Sequence, residues 1–301
     1  MRVLITGAGG VIGSALGEAL LARGDQVVGL SRDPERAKRG AGRIAWHAWQ
    51  PARERPPEEA FDGVDAVVNL VGEPLDQRWT EAAKAVIRAS RITATRNLVA
   101  AMLAAPRTPG VLVSQSAVGY YGDRGEQIID ESTPAGESFD ARVCVDWEAA
   151  AAEVGDEARL VVIRSAPVLT AAGGLLAGLL LPFRLGLGGP IAGGGSYMPW
   201  IGLADEVGMM LWALDTPATG GAYNATSPEP VTNREFSKAL GRAVHRPAVV
   251  PIPKLAIRAR FGGELADAAT ASQRVLPRRA RDEGYAFRTP DLDAALSEAL
   301  A

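Results

Sequence analysis

The sequence predicts an α/β protein, a doubly wound parallel sheet with a smaller α/β region behind it. Short apolar runs recur through the first part of the chain. Segments with apolar residues at helical spacing separate them, and that alternation is the signature of parallel βαβ units. Beyond residue 166 the alternation loosens and Gly and Pro become dense. We therefore expect a first domain over 1–166 and a second region over 167–301, the latter handling a substrate.

Val3-Leu4-Ile5-Thr6 reads as a buried strand. Gly7-Ala8-Gly9-Gly10-Val11-Ile12-Gly13 follows, and Ile12, Leu16, Ala19 and Leu20 then recur on one helical face. Arg23-Gly24 closes that helix. Further strands are expected at 26–30, 43–46, 66–71, 110–114 and 159–164. Helices are expected at 80–103, 138–154, 205–214, 232–244 and 290–300, with Thr232 or Asn233 capping the fourth and Pro247 following it. The Pro-, Arg- and Glu-rich stretch 50–59 reads as an exposed loop. The apolar window 173–189, broken by Gly, Pro182 and Arg184, reads as a buried or pocket-lining segment.

Composition narrows the function. A hydrophobic fraction of 47% and a charged fraction of 22% are ordinary for a globular protein. A net charge of −3 argues against a nucleic-acid partner and a polybasic membrane patch. Cys144 is the single cysteine, which excludes an internal disulfide and fits a reducing compartment. The first residues lack a signal peptide's apolar run, and no stretch of about 20 apolar residues could span a bilayer. The expected location is cytoplasmic. Two histidines, His47 and His245, are too few for a metal site or a His-based triad, and both read as surface or packing residues.

The glycine-rich turn carries the first functional reading. It follows a strand and opens a helix, which is the context in which such a turn binds a dinucleotide in a Rossmann domain. Gly7 and Gly10 let the backbone approach a pyrophosphate, and Val11 and Ile12 begin the helix whose N-terminus favours its charge. Gly13 lets helix and strand pack closely. The second strand ends in Ser31-Arg32, where an NAD-selective site places an acidic residue for the ribose hydroxyl. Arg32 offers a fork of donors to a 2′-phosphate and Ser31 adds a hydroxyl, so the expected cofactor is NADP. Asp33 reads as a turn residue.

The ordered motifs resemble a known family. They are Thr6-Gly7-x-x-Gly10-x-x-Gly13, Asn69-Leu70-Val71-Gly72-Glu73, Arg78-Trp79, Lys84 with Ser90-Arg91-Ile92, Tyr120-Tyr121-Gly122 and Trp147-Glu148-Ala149-Ala150. Pro182-Phe183-Arg184-Leu185-Gly186-Leu187-Gly188-Gly189-Pro190 and Tyr223-Asn224-Ala225-Thr226 complete the set. Over essentially the whole chain they look like atypical extended short-chain dehydrogenase/reductases of the NAD(P)-dependent epimerase/dehydratase type, with a C-terminal domain of unknown function. The resemblance implies that Leu70, Val71 and Gly72 line the cofactor after the fourth strand. It also implies that Arg91 reaches the cofactor's charged middle, Ser114 belongs to the cofactor site and Val168 lies near the nicotinamide.

The same resemblance exposes a departure. Such enzymes use a Tyr-x-x-x-Lys pair after the fifth strand, where Lys eases ionisation of the Tyr. The corresponding helix holds neither residue, and our register puts Cys144 and Glu148 in the two places. Three accounts are open. Ser116 and Tyr121, with help from Ser114 or Tyr120, supply the acid–base chemistry; or Cys144 or Glu148 is the acid; or the cofactor is bound without turnover. Tyr121 would need another cation close by. The Gly-rich and aromatic run 193–201 reads as a pocket rim. The family's His and Asp beyond Trp200-Ile201 become Gly202 and Asp205 here. Arg78 and Trp79 either meet an anionic or ring-bearing substrate or staple the long helix. The sequence thus points to an NADP-dependent oxidoreductase acting on a small carbonyl or hydroxyl compound. A hydride-cycling epimerase and an NADPH-binding sensor or scaffold are the alternatives. The helices 80–103 and 138–154 resemble those that pair in dimers of this superfamily, so a homodimer and a monomer are equally open.

Overall fold

A computed structural model describes residues 1–38 and 43–301. Among them seven strands form one sheet: β1 (Arg2–Thr6), β2 (Gln26–Ser31), β3 (Ala45–Ala48), β4 (Ala66–Asn69), β5 (Val111–Ala117), β6 (Arg159–Ser165) and β7 (Gly221–Ala225). All neighbours pair in parallel, in the order β7-β6-β5-β4-β1-β2-β3. The chain runs outward from β1 to β3 and then returns to start β4 on the other side of β1. Strand order therefore reverses between β1 and β4, and the crevice above that point is where doubly wound sheets bind ligands.

The helices are α1 (Val11–Ala22), α2 (Pro34–Lys38), α3 (Glu81–Arg88), α4 (Ala94–Ala104), α5 (Phe139–Ala152), α6 (Gly174–Arg184), α7 (Leu203–Asp215) and α8 (Asn233–Ala243). After them come α9 (Lys254–Phe261), α10 (Gly263–Thr270), α11 (Arg278–Asp282) and α12 (Leu292–Leu300). Side chains alternate across each strand, which gives the sheet two buried faces. Val3, Ile5, Val68, Val113 and Ile163 pack with Leu16 and Leu20 of α1 and Met209 and Met210 of α7. Leu4, Val67 and Leu112 pack on the other face with Leu98 and Met102 of α4 and Ala151 of α5. Leu169, Leu180, Phe183, Trp200, Phe236, Leu240 and Leu296 form a third core within the second region. The division at 166 nonetheless cuts across the sheet, because α7 and β7 return from the second region to extend it.

Local chemistry sets the element ends. Gly24 has φ +89 directly after the C-cap of α1, a conformation that glycine adopts without penalty. Thr80 and Ser138 cap α3 and α5 with their hydroxyls, and Thr232, rather than Asn233, forms a capping box with Glu235 at α8. The expected long helix over 80–103 is present but interrupted. One turn of π-helix, Ala89–Thr93, joins α3 to α4. The third strand lies slightly later than expected, with Ile44 buried just ahead of it. The window 173–189 contains α6, which turns Leu176, Leu180 and Phe183 into the third core despite Pro182 inside it. No helix among the described residues is long and apolar enough to cross a membrane.

Candidate functional site

The glycine-rich turn between β1 and α1 forms a cradle at the strand-order reversal. Gly7 has φ +67, and a Cβ there would stand 3.0 Å from the Leu70 carbonyl oxygen. A Cβ on Gly13 would stand 2.3 Å from the Gly7 carbonyl oxygen, so α1 can approach β1 this closely only through glycine. The Gly10 amide donates to the Gly7 carbonyl at 2.9 Å and closes the turn. Gly10 is the N-cap, and no side chain caps the first turn at Val11 and Ile12. The helix thus presents amide donors and the positive end of its dipole to the crevice. These features fit a bound pyrophosphate.

The facing wall is held from inside. Thr6 Oγ1 donates to Asn69 Oδ1 at 2.8 Å and accepts from the amides of Leu70 and Val71 at 2.9 and 3.1 Å. Asn69 Nδ2 donates to Thr95 Oγ1 at 2.9 Å and to Ser114 Oγ at 3.3 Å, and Trp147 Nε1 donates to Thr95 Oγ1 at 3.0 Å. This buried set ties β1, β4, β5, α4 and α5 together directly beneath the Leu70-Val71-Gly72 wall. Ser114 belongs to it and is fully buried, so it acts on the wall through Asn69.

The π-turn places Ser90 and Arg91 against the same wall. Ser90 Oγ accepts from the Glu73 amide at 3.0 Å, and Arg91 Nη1 donates to the Glu73 carbonyl at 2.9 Å. A Cβ on Gly72 would meet the Arg91 guanidinium at 3.1 Å, so the loop passes close over the cation. Burial holds the Arg91 pKa below its ordinary value. Single π-turns inside α-helices commonly mark functional positions.

At the end of β2, Ser31 Oγ accepts from the Asp33 amide, and Asp33 Oδ1 accepts from the Arg36 amide to start α2. Asp33 is therefore a turn residue. Arg32 is exposed, and its guanidinium has no ion pair or hydrogen bond among the described residues. Val168, half-buried beyond β6, pairs with Ile201.

The structure brings Ser116 and Tyr121 into one network through a residue the sequence reading missed. Arg164, near the end of β6, holds Glu148 with two bonds, Nε to Oε1 at 2.9 Å and Nη2 to Oε2 at 2.8 Å. Its Nη1 donates to the Tyr121 hydroxyl at 3.0 Å, and its guanidinium lies 3.6 Å from the centre of the Tyr120 ring. Ser116 Oγ donates to Glu148 Oε1 at 2.7 Å. The Tyr121 hydroxyl donates to Asn224 Oδ1 at 2.6 Å. Burial pulls the Arg164 pKa down, but the Glu148 and Tyr121 contacts outweigh it and leave the guanidinium above its ordinary value. Glu148, which the sequence register set at the lysine position of typical dehydrogenases, is paired with a cation from β6.

The expectation that Tyr121 exchanges a proton with a substrate does not fit its position. The side chain is fully buried and its hydroxyl is engaged on both sides. Burial pushes its pKa up to about 12, against the lowering pull of Arg164. Cys144 is no better placed, because burial takes its thiol up to about 12 as well. Asp205 is spent on structure: its carboxylate accepts from the amides of Arg288 and Thr289 at 2.8 and 2.9 Å and from the Thr289 and Tyr285 hydroxyls. A Cβ on Gly202 would stand 2.8 Å from Thr289 Oγ1, so the chain passes Thr289 here as glycine. Trp79, just before α3, packs on Phe139 at the start of α5, while Arg78 lies exposed beside Gly262. No three His, Cys, Asp or Glu side chains among the described residues are grouped to hold a metal. The signal for Arg164 was visible, since an Arg closing an otherwise apolar central strand is rarely there for packing alone.

A model of the NAD dependent epimerase/dehydratase family matches residues 3–226. The chain belongs to that family. A second match, to a domain of unknown function termed DUF1731, covers residues 252–299 of this family member. Epimerase family protein SDR39U1 of Homo sapiens is 39% identical over 306 residues, spanning 100% of both chains. Epimerase family protein MT2273 of Mycobacterium tuberculosis is 40% identical over 99% of this chain and 97% of its own. The crystal structure of human SDR39U1 (isoform 2) with NADPH superposes with a TM-score of 0.90 at 38% identity, covering 99% of each chain. UDP-glucuronic acid 4-epimerase from Bacillus cereus, in complex with NAD, shares the fold at 17% identity and a TM-score of 0.78.

Proposed function

We propose that this family member binds NADP(H) and acts as an oxidoreductase on a small carbonyl or hydroxyl compound. The observation that carries the reading is the cradle at Gly7, Gly10 and Gly13, with Arg32, exposed and without a partner among the described residues, at the end of β2. A pyrophosphate sits on the first turn of α1, facing Leu70, Val71 and Gly72. Arg32 and the Ser31 hydroxyl take the 2′-phosphate, and no carboxylate at the β2 terminus opposes it. Arg91, half-buried and without an ion pair among the described residues, serves the negatively charged middle of the cofactor. Val168 lies towards the nicotinamide. The NADPH present in the human SDR39U1 structure supports the assignment.

When bound, the nicotinamide supplies or accepts a hydride. The chain's own part is the proton. Ser116 is buried like Tyr121, but its hydroxyl only donates, to Glu148, and keeps acceptor capacity for a substrate proton; Glu148, whose carboxylate Arg164 fixes in place, orients it. In the oxidising direction the substrate hydroxyl proton passes to Ser116 Oγ as the Ser116 proton moves to Glu148. Tyr121 holds Arg164 from the other side and touches no substrate.

NADPH consumption across a panel of aldehydes, ketones and quinones tests the reading, with Ser116→Ala as the control. Turnover that Ser116→Ala reduces by two orders of magnitude or more, with NADPH affinity unchanged, is the expected result. NADPH binding with no consumption across the panel would favour the sensor reading instead.

A further inference from the structure

A second buried carboxylate lies across the sheet from Glu148. Glu206, in the first turns of α7, is fully buried. Its Oε1 accepts from the Ser165 hydroxyl and from Gln115 Nε2, the latter at 3.2 Å, and Gln115 Nε2 also donates to Ser165 Oγ at 2.6 Å. Two buried oxygens of the cluster lack a partner among the described residues, Glu206 Oε2 and Gln115 Oε1. One belongs to the acid and one to the amide. An ionised carboxylate and an amide carbonyl are both acceptors and cannot satisfy each other. A carboxylic acid and an amide can, since the acid O–H meets the amide oxygen while the amide N–H meets the acid carbonyl.

The surroundings offer no charge to hold an anion. Asp205, on the same turn, is itself acidic and saturated by donors from 285–289. Tyr285 bonds Asp205, and Arg288 acts on that tyrosine rather than on Glu206. Tyr223 of β7 directs its hydroxyl to Glu283 and Arg279. Glu18 of α1 faces solvent, and Arg164 projects from the opposite face of β6 toward Glu148. Burial accordingly raises the Glu206 pKa to about 7, with Ser165 and Gln115 opposing the rise. An unpaired buried polar atom is costly, and a proton shared between Glu206 Oε2 and Gln115 Oε1 would remove two of them.

We propose that Glu206 is held as the neutral acid, paired with Gln115, and that this acid–amide pair is a proton-operated clasp joining α7 to the ends of β5 and β6. Gln115 immediately precedes Ser116, Ser165 immediately follows Arg164, and the strand then leads to Val168. Loss of the proton places a negative charge beside the Gln115 carbonyl, parts the clasp and loosens the corner that meets the nicotinamide. The link to cofactor rests on the function proposed above; the protonation state does not.

The experiment pairs infrared spectroscopy with NADPH titration, on wild type and Glu206→Gln, from about pH 5.5 to about pH 8.5. Glutamine keeps the shape and donor of the neutral acid, so that variant folds and stays clasped throughout. The expected result is a protonated-carboxyl stretch in wild type that titrates near neutrality and is missing from Glu206→Gln. Wild-type NADPH affinity falls about fivefold more than the variant's across the range. Absence of that band, or an unfolded Glu206→Gln, overturns the clasp. A titrating band with identical NADPH profiles overturns its effect on the cofactor. Failure of NADPH to bind at any pH strikes the proposed function, while the band still decides the clasp.

Discussion

A guanidinium at the buried end of a central strand is costly unless its donors find partners, and Arg164 finds Glu148 and Tyr121 while stacking on Tyr120. Removing it should hurt more than removing what it touches. Arg164→Met strands the Glu148 carboxylate and is expected to cost about 3–5 kcal/mol in denaturant unfolding. Tyr121→Phe leaves Asn224 Oδ1 without its donor and should cost about 1–3 kcal/mol, with NADPH affinity retained. A stability loss from Arg164→Met no larger than that from Tyr121→Phe would deny Arg164 its central place. Glu206 adds a pH dependence whose sign is fixed. Its folded pKa of about 7 lies above the ordinary 4.5, so the folded state binds the proton more tightly. The stability this supplies is complete at low pH and is lost as pH rises from about 4.5 to about 7. The difference in Tm between wild type and Glu206→Gln should therefore open across that window, and parallel curves would contradict it.

At the scale of elements, the glycine-rich turn separates glycines that are required from those that are not. Gly13→Ala drives a methyl into the Gly7 carbonyl and should abolish tight NADPH binding while lowering Tm. Gly9→Ala meets nothing within 4 Å and should leave Tm near wild type. Equal effects from the two would show that packing at this turn does not govern the site. The same turn was the most legible part of the sequence, because a strand, glycines and an amphipathic helix stood in the correct order. Strands β1, β2, β4, β5 and β6 were legible as buried apolar runs. β7 was not, because Gly221-Ala222-Tyr223-Asn224-Ala225 lacks the β-branched run of a central strand. α6 was obscured by Pro182 and its glycines, and the π-turn at Arg91 changes backbone bonding without changing apolar spacing. Ser116 and Tyr121 were legible as neighbours of the site. Their joint dependence on Arg164 was not, since it arises from the side-by-side pairing of Ser116 and Arg164 on β5 and β6.

On the scale of the whole molecule, the second region joins the sheet through β7 and α7 and is further fastened by saturated polar contacts. Asp205 at the start of α7 gathers the donors of 285–289, and Gln273 Nε2 donates to the carbonyls of Val118 and Gly122 beneath the Tyr120-Tyr121 turn. The C-terminal region thus braces the turn that carries Tyr120 and Tyr121. Asp205→Ala should release the segment before α12 and cost about 3 kcal/mol or more, read by denaturant unfolding and by faster amide exchange confined to 285–300. Uniform exchange across the chain would assign the loss to global unfolding instead. The cofactor decides the rest. Calorimetric titration of wild type and Arg32→Ala with NADPH and with NADH tests it most directly. Tight NADPH binding, weakened selectively in Arg32→Ala while NADH is unaffected, is the predicted result. Equal affinity for the two cofactors in both proteins, or no binding of either, would contradict it.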